Sequence, residues 1–301
     1  MEEAKQIVAN LANFSFTEYC ESGSVEYALA FTLAVGTLCF VLTKVTSEMS
    51  WVDRIWSLLP ILYQAHYIYH QSHCRGIQIS NRQWLLFSFT SAWGIRLTYN
   101  FYRKGGYRAG GEDYRWAYIR KKYHWILVEI LNIVFTAYYQ LVLILWFSSP
   151  IREAYSGELN AYDYGLAALW LLLFVGEVSA DQQQWNFQTE KYRLLKANSN
   201  QLEKLPERFR GGFLTDGLFS ISRHPNFFCE ISLWYTQYFF SHNSSGLNWS
   251  GLGAVLLHLL FLGSTTLTEI ISGEKYPKYE QYKQTTSMLI PCPSRKPTKS
   301  D

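Results

Sequence analysis

Residues 125–148 read WILVEILNIVFTAYYQLVLILWFS, a stretch of 24 positions in which Glu129 is the one charged side chain. A run of this length and apolarity covers the ~20 residues that an α-helix needs to cross a bilayer core. Within lipid a helix also satisfies its own backbone groups, which an open strand cannot do. Six further apolar blocks lie on either side of it, near 25–44, 51–70, 83–102, 162–180, 225–241 and 248–272. The chain therefore reads as an all-α polytopic integral membrane protein with about seven transmembrane helices. Its mean hydropathy is only −0.08, and the charge of the connections accounts for that. Lys and Arg total 22 in 44–54, 103–124, 181–224 and 273–301, against 4 in 1–24, 70–83, 149–161 and 242–248. Because basic residues are retained on the cytosolic side, this alternation predicts a lumenal N-terminus and a cytosolic C-terminus.

The net charge of +3 over 301 residues follows from that sidedness and is not a nucleic-acid footprint. The opening MEEAKQIVAN lacks the plan of a signal peptide, so the first span is expected to act as the targeting signal. No repeat or long linker divides the chain. The expected organisation is a lumenal segment 1–24, one membrane domain 25–291 and a cytosolic tail 292–301. Five cysteines, Cys20, Cys39, Cys74, Cys229 and Cys292, show no CxxC pairing and indicate neither a disulfide framework nor a zinc site. Cys20 and Cys74 both fall outside the cytosol, where a bridge between them is open. Sequons at Asn13, Asn243 and Asn248 fall on the same side.

The chemistry-bearing side chains gather toward the cytosol. Residues 217–230 read GLFSISRHPNFFCE, and Pro225 suits the first position of a helix. The unpaired N–H groups of a helix start, with Arg223 and His224 beside them, would receive a phosphate or another anion. Asn226 and Glu230 then share one face, and an ionisable residue one turn inside an apolar helix marks a cavity or a buried partner. Arg96, Asn100 and Arg103 recur at i, i+4 and i+7 along the third span. The glycines and arginines after them, with Glu112 and Asp113, would either surround phosphates or simply form the basic loop that sidedness demands. Glu177 and Asp181 lie one helical turn apart. They either balance arginines or accept hydrogen bonds from a ligand. Asp53 sits where the second span meets the cytosol, between Trp51 and Trp56. His66, His70 and His73 have ligand-like spacing, but only seven histidines occur and no metal is expected.

These residues resemble the steroid 5-alpha-reductase superfamily, most closely its steroid-reductase-like branch. The likeness runs from about Trp51 to Pro291 through WVDRIWSLLP, WGIRL, GEDYR, ADQQQWNFQ, GLFSISRHPNFFCE and EKYPKYEQYKQTTSMLIP. It implies a seven-helix membrane fold that holds NADPH in a cytosol-facing cavity and delivers hydride to an activated carbon–carbon double bond of a steroid or other lipid; the membrane is expected to be that of the endoplasmic reticulum. By that resemblance Asn226 and Glu230 contact the nicotinamide. Asp181, Arg96, Arg103 and Arg210 surround its ribose, amide and phosphates, with Arg223 and His224 beside them and Glu269 at a further cofactor-facing position. No GxGxxG fingerprint offers another dinucleotide site. Trp93 stands where the steroid reductases place a ketone-polarising tyrosine. That leaves Asp53 as the partner carboxylate, and Tyr99 or Tyr63 as the proton donor. More distantly the chain is similar to isoprenylcysteine carboxyl methyltransferases, which imply S-adenosylmethionine. Phe227 and Glu269-Ile270 depart from their RHPxY and Glu-Glu pattern. An inactive membrane scaffold of the same fold is the third reading.

Overall fold

The computed structural model describes residues 19–198 and 201–294, and every regular element among them is a helix. In chain order these are α1 Ser24–Thr46, α2 Trp51–Ile55, α3 Leu59–Arg75, α4 Asn81–Arg103, α5 Tyr114–Lys122 and α6 Trp125–Ile130. A π-helix, Leu131–Tyr139, then leads into α7 Gln140–Ser148 and α8 Pro150–Glu153. The long α9 Ala161–Ala197, the short α10 Glu207–Arg210, α11 Pro225–Ser245, α12 Gly251–Lys275 and α13 Tyr279–Thr285 complete the set. The sequon at Asn13 lies outside the described residues.

Among the described residues four helical stretches are long and apolar enough to cross a membrane: Ser24–Thr46, Trp125–Glu153, Ala161–Ala197 and Gly251–Lys275. The blocks at 51–70, 83–102 and 225–241 are also largely helical, as α2 with α3, α4 and α11. They are more polar because they carry Gln64 and His70, Arg96 and Asn100, and Asn226 and Glu230. Within Trp125–Glu153 the nine-residue π-helix interrupts the α-helical winding. Thr136 Oγ1 donates back to Leu131 O, five residues earlier, at 3.4 Å. This matches the i→i+5 spacing of a π turn.

Contacts divide the chain into two compact units, Met1–Leu166 with Tyr235–Leu257, and Ala167–Trp234 with His258–Asp301. In the first, α1 packs along the π-helix and α7, while α3 packs on α4, α7 and α8. Small residues set the spacing, as helices in lipid require when van der Waals contact rather than water exclusion joins them. A methyl at Gly36 would meet Ala137 O at 2.6 Å, and one at Gly94 would meet Ser57 O at 2.5 Å. Polar groups buried among these helices pair with one another. Gln64 Nε2 donates to Gln237 Oε1 at 3.1 Å, Gln237 Nε2 donates to Thr90 Oγ1 at 3.0 Å, and the Thr32 and Tyr63 hydroxyls lie 2.7 Å apart.

One end of this unit is fastened by several ties. Arg82 forks onto Asp163 at 2.9 and 2.7 Å and also donates to Glu158 O and Ser156 O. Cys20 and Cys74 form a disulfide, tying the entry to α1 to the last turn of α3. His66 and His70 serve the same junction instead of gathering as ligands. Their Nε2 atoms donate to Ser24 O at 2.8 Å and Ser22 O at 3.0 Å. A carbonyl can only accept, so Nδ1 of neutral His66 accepts from the Tyr19 hydroxyl at 2.9 Å. His73 stacks on Tyr69.

The second unit contains most of α9, the start of α11, the end of α12 and α13. At 1.5 Å per residue the 37-residue α9 is about 55 Å long, so it outruns a ~30 Å hydrocarbon core. Past its apolar part it packs Ala180 and Phe187 against Leu205, Phe209, Leu214 and Phe219. Buried Lys191 donates to Gly212 O at 2.9 Å and holds that connection down. The Phe213 ring lies against Tyr276, Tyr279 and Tyr282.

Replacing Gly94 by Val should lower the melting temperature of the detergent-purified protein, by a destabilisation of about 1–3 kcal/mol, because the added carbons meet the Ser57 carbonyl of the facing backbone as well as the Ile61 side chain. Gly165, which has open space around its Cβ position, is the control and should tolerate Ala with little change.

Candidate functional site

Helix α11 begins at Pro225, where the missing N–H and fixed φ of proline place a start. Its first turns lie against α9. A methyl at Gly176 would come 3.1 Å from Cys229 Sγ, and Asn226 Nδ2 donates to Asp181 Oδ1 at 3.2 Å. Glu177, one turn before Asp181, is buried. Glu230, one turn after Asn226, is buried as well, and its Oε1 accepts from Trp234 Nε1 at 2.9 Å. Two faces with i, i+4 spacing, Glu177/Asp181 and Asn226/Glu230, thus belong to one helix pair. Carboxylates accept and cannot donate when ionised, so this pair offers acceptors to O–H and N–H groups.

The residues just before Pro225 have a different task. Arg223 Nε and Nη2 fork onto Glu269 at 2.6 and 3.0 Å, and Nη1 donates to Lys283 O at 3.0 Å and to Thr286 O. His224 Nε2 lies 3.1 Å from the same Glu269 carboxylate. Backbone bonds run beside them: Arg223 N to Ser287 O at 2.8 Å, His224 N to Met288 O at 3.1 Å, and Cys292 N to Ile221 O at 2.9 Å. Ser222 Oγ adds a donation to Leu289 O at 2.7 Å. The SRHP stretch and the TTSMLIP stretch therefore form one clamp. The sequence reading gave Arg223 and His224 to an anion and Glu269 to a cofactor; here all three are engaged with each other and with the closing segment. Arg210, also read as a cofactor ligand, donates Nε to Leu205 O at 2.9 Å and is otherwise exposed.

In the first unit, Arg96 and Arg103 are half-buried on one face of α4 with buried Asn100, and Trp93 is buried one turn earlier. Tyr99 is 59% exposed and packs under the Arg103 guanidinium. Its hydroxyl is thus accessible, and no proton-transfer partner for it is seen among the described residues. Tyr63, the other candidate, is buried but hydrogen-bonded to Thr32. Asp53 is half-buried in α2, bonded to Ser50 and facing Asp113 and Arg115. The glycine-rich loop wraps Arg54 instead of an open cradle. Arg54 donates to Gly106 O at 3.2 Å, to Arg108 O at 3.3 Å and to Glu48, which in turn accepts from Gly110 N at 2.6 Å. Glu112 accepts from Met49 N at 2.6 Å and from Arg120 at 3.0 Å, and Asp113 N donates to Ser50 Oγ at 3.1 Å.

Residues 39–286 match the family described as "Protein of unknown function (DUF1295)". The chain belongs to this family. It is also 32% identical over 296 residues to the "Uncharacterized protein C594.04c" of Schizosaccharomyces pombe, a match that covers 94% of this chain and 83% of the yeast protein. No solved structure matches. The DUF1295 match includes Arg54 with the 106–113 loop and Arg223 with Glu269, and ends within the closing TTSMLIP stretch.

Sequence reasoning found the Asn226/Glu230 face and the Glu177/Asp181 face, and the structure joins them through Asn226 and Asp181. It missed Trp234, although its i, i+4 spacing from Glu230 was a legible signal. The carbonyls of Lys283 and Thr286 carry no side-chain signal at all. Glu48 was missed for another reason, since an acid in a basic loop has many possible partners. The Gly110 N–H and the Arg54 guanidinium hold its carboxyl below the ordinary 4.5. A depressed carboxylate contributes stability that is complete above 4.5 and lost as pH falls through its folded value. Hydrogen-exchange protection at Gly110 should accordingly drop on acidification below 4.5. In Glu48→Gln the protection should be low already at neutral pH and lack that step.

Proposed function

We propose that the chain is a seven-span membrane oxidoreductase that uses NADPH to reduce an activated carbon–carbon double bond of a steroid or other lipid. The observation that carries this reading is the pairing of Asn226 with Asp181 beside buried Glu230 at the start of α11. A nicotinamide carboxamide and its ribose present N–H and O–H donors, and an acceptor wall with one amide among the carboxylates fits that set. Arg210, exposed on the same unit, suits the phosphates, which a planar guanidinium binds in a fork. Bound NADPH would supply the hydride. The chain's own part is to orient Asn226 through Asp181, to hold Glu230 in place through Trp234, and to keep water out with the surrounding helices. The Arg223–Glu269–His224 clamp weighs against the methyltransferase alternative, because in that resemblance the same loop and a downstream carboxylate hold S-adenosylmethionine.

The disulfide supports the orientation. Disulfides persist in oxidising compartments, so Cys20 and Cys74 belong on the lumenal side, in agreement with the 22-to-4 basic bias of the connections. The endoplasmic reticulum has such a lumen and is the membrane we assign.

Thermal shifts of detergent-purified protein with NADPH, NADH and S-adenosylmethionine test the reading. NADPH at a hundredfold its Kd should stabilise by ~2.7 kcal/mol. Glu230→Gln should keep the unliganded melting temperature and weaken NADPH binding by about tenfold or more, since it removes one charged acceptor without changing shape. Unchanged affinity sinks the assignment of Glu230. A shift with S-adenosylmethionine alone favours a methyltransferase, and no shift with any of the three favours a scaffold. Orientation has its own check. Cys292 is the exposed free thiol, while Cys39 and Cys229 are buried. A membrane-impermeant maleimide should label sealed, cytosol-side-out microsomes at Cys292 without detergent.

A further inference from the structure

Four arginines of the first unit invite comparison: Arg54, Arg82, Arg115 and Arg152. Arg54 and Arg82 each satisfy a carboxylate and backbone carbonyls, and Arg115 forks onto Asp113. Arg152, in α8, does none of this. Its guanidinium lies between two aromatic faces, 5.7 Å from the ring centre of buried Tyr67 and 5.4 Å from that of Trp249. Nη1 is buried and has no hydrogen-bond partner, and no ion pair to Arg152 exists among the described residues. The adjacent Glu153 is half-buried and does not bridge to it. Two rings attract a cation and fix the plane of the fork, but they offer its N–H groups no lone pair.

A guanidinium cannot shed its proton to escape a poor environment. Partial burial without a counter-charge is unfavourable, so the arrangement is suited to receiving an anion. Sidedness sharpens the point. Only 4 Lys and Arg occupy the connections opposite the basic face, and one of them, Arg82, is fully used by Asp163. Trp249 is 37% exposed, and a tryptophan next to the end of a span is typical of the membrane interface, where headgroup phosphates lie. A phospholipid phosphate is an acceptor of the right charge and shape for a planar fork.

We propose that Arg152, framed by Tyr67 and Trp249, is a binding site for a phosphate oxyanion, supplied by a phospholipid headgroup of the leaflet on the disulfide side. The site is independent of the NADPH reading, and nothing in its test depends on cofactor or turnover.

The test uses full-length protein, delipidated in a neutral maltoside detergent, and three probes: phosphatidylglycerol, diacylglycerol as the phosphate-free lipid, and inorganic phosphate. Phosphatidylglycerol should raise the melting temperature and diacylglycerol should not. Arg152→Gln should weaken phosphatidylglycerol binding about tenfold or more, which is the loss of one charge-assisted fork. Native mass spectrometry of the unmutated protein should retain one phospholipid per chain in preference to diacylglycerol, a readout that stands even where Arg152→Gln folds poorly. A rise with millimolar inorganic phosphate that is equal to the lipid's and lost in Arg152→Gln would keep the oxyanion site and overturn the lipid as its source. Equal rises in both proteins, or no preference for phospholipid over diacylglycerol, would overturn the site itself.

Discussion

A buried guanidinium must be surrounded by acceptors, because it keeps its charge at any physiological pH. Much of this fold is arranged around that requirement. Arg223 is supplied by Glu269 and by the carbonyls of Lys283 and Thr286, and so draws the last described residues back against the start of α11. Arg54 is supplied by Glu48, Gly106 O and Arg108 O, and so folds the glycine-rich loop against α2. Arg82 does the same with Asp163 and the 156–158 connection. Arg54 and Arg82 sit on helices and reach carbonyls of connections, while Arg223 sits just before α11 and reaches the carbonyls at the end of α13. The ion pair is only half of each device. Removing either member would leave an uncompensated charge in a poor solvent, which costs far more than the pair contributes over an apolar replacement.

This economy explains why the stretches that mark the resemblance come in partners. SRHP pairs with TTSMLIP, and Ser50 with the adjoining WVDR pairs with the 106–113 loop, each within one unit. Such stretches look like ligand-binding motifs because they are rich in arginine, histidine and carboxylates. Their first duty in the structure is to hold loops. What remains for the cofactor we propose is smaller and more specific: Asn226 and the carboxylates of Glu177, Asp181 and Glu230, on a helix pair that a glycine allows to close. Arg152 stands apart from Arg54, Arg82 and Arg223 because two rings, and no carboxylate, lie against it.

Much of the architecture was legible in advance because lipid imposes period and length on a sequence. The block at 125–148 is helical throughout, the start at Pro225 is where proline chemistry put it, and the faces Asn226/Glu230 and Glu177/Asp181 follow from a 3.6-residue turn. Four stretches are apolar enough to be read as spans from composition and length, whereas α3, α4 and α11 dilute that signal with the groups they bury. The pairing of Cys20 with Cys74 was open in the sequence, since 54 residues separate them and proximity comes from the packing of α1 on α3. The winding of 131–139 as a π-helix had no legible cause, as the stretch reads like any apolar helix.

By itself, then, the sequence determined which segments are helical, where one of them starts and which side chains share a face, because these depend on neighbours within a turn or two and on the thickness of a bilayer. Only the tertiary structure decided which charge meets which. Arg223 could have served a phosphate as well as Glu269, and Arg54 could have met water as readily as Gly106 O. The choice was made by chain returning from 46 and 52 residues away. Hydrogen-bond partners at that separation leave no period in the sequence, and backbone carbonyls, identical in every residue, leave no letter.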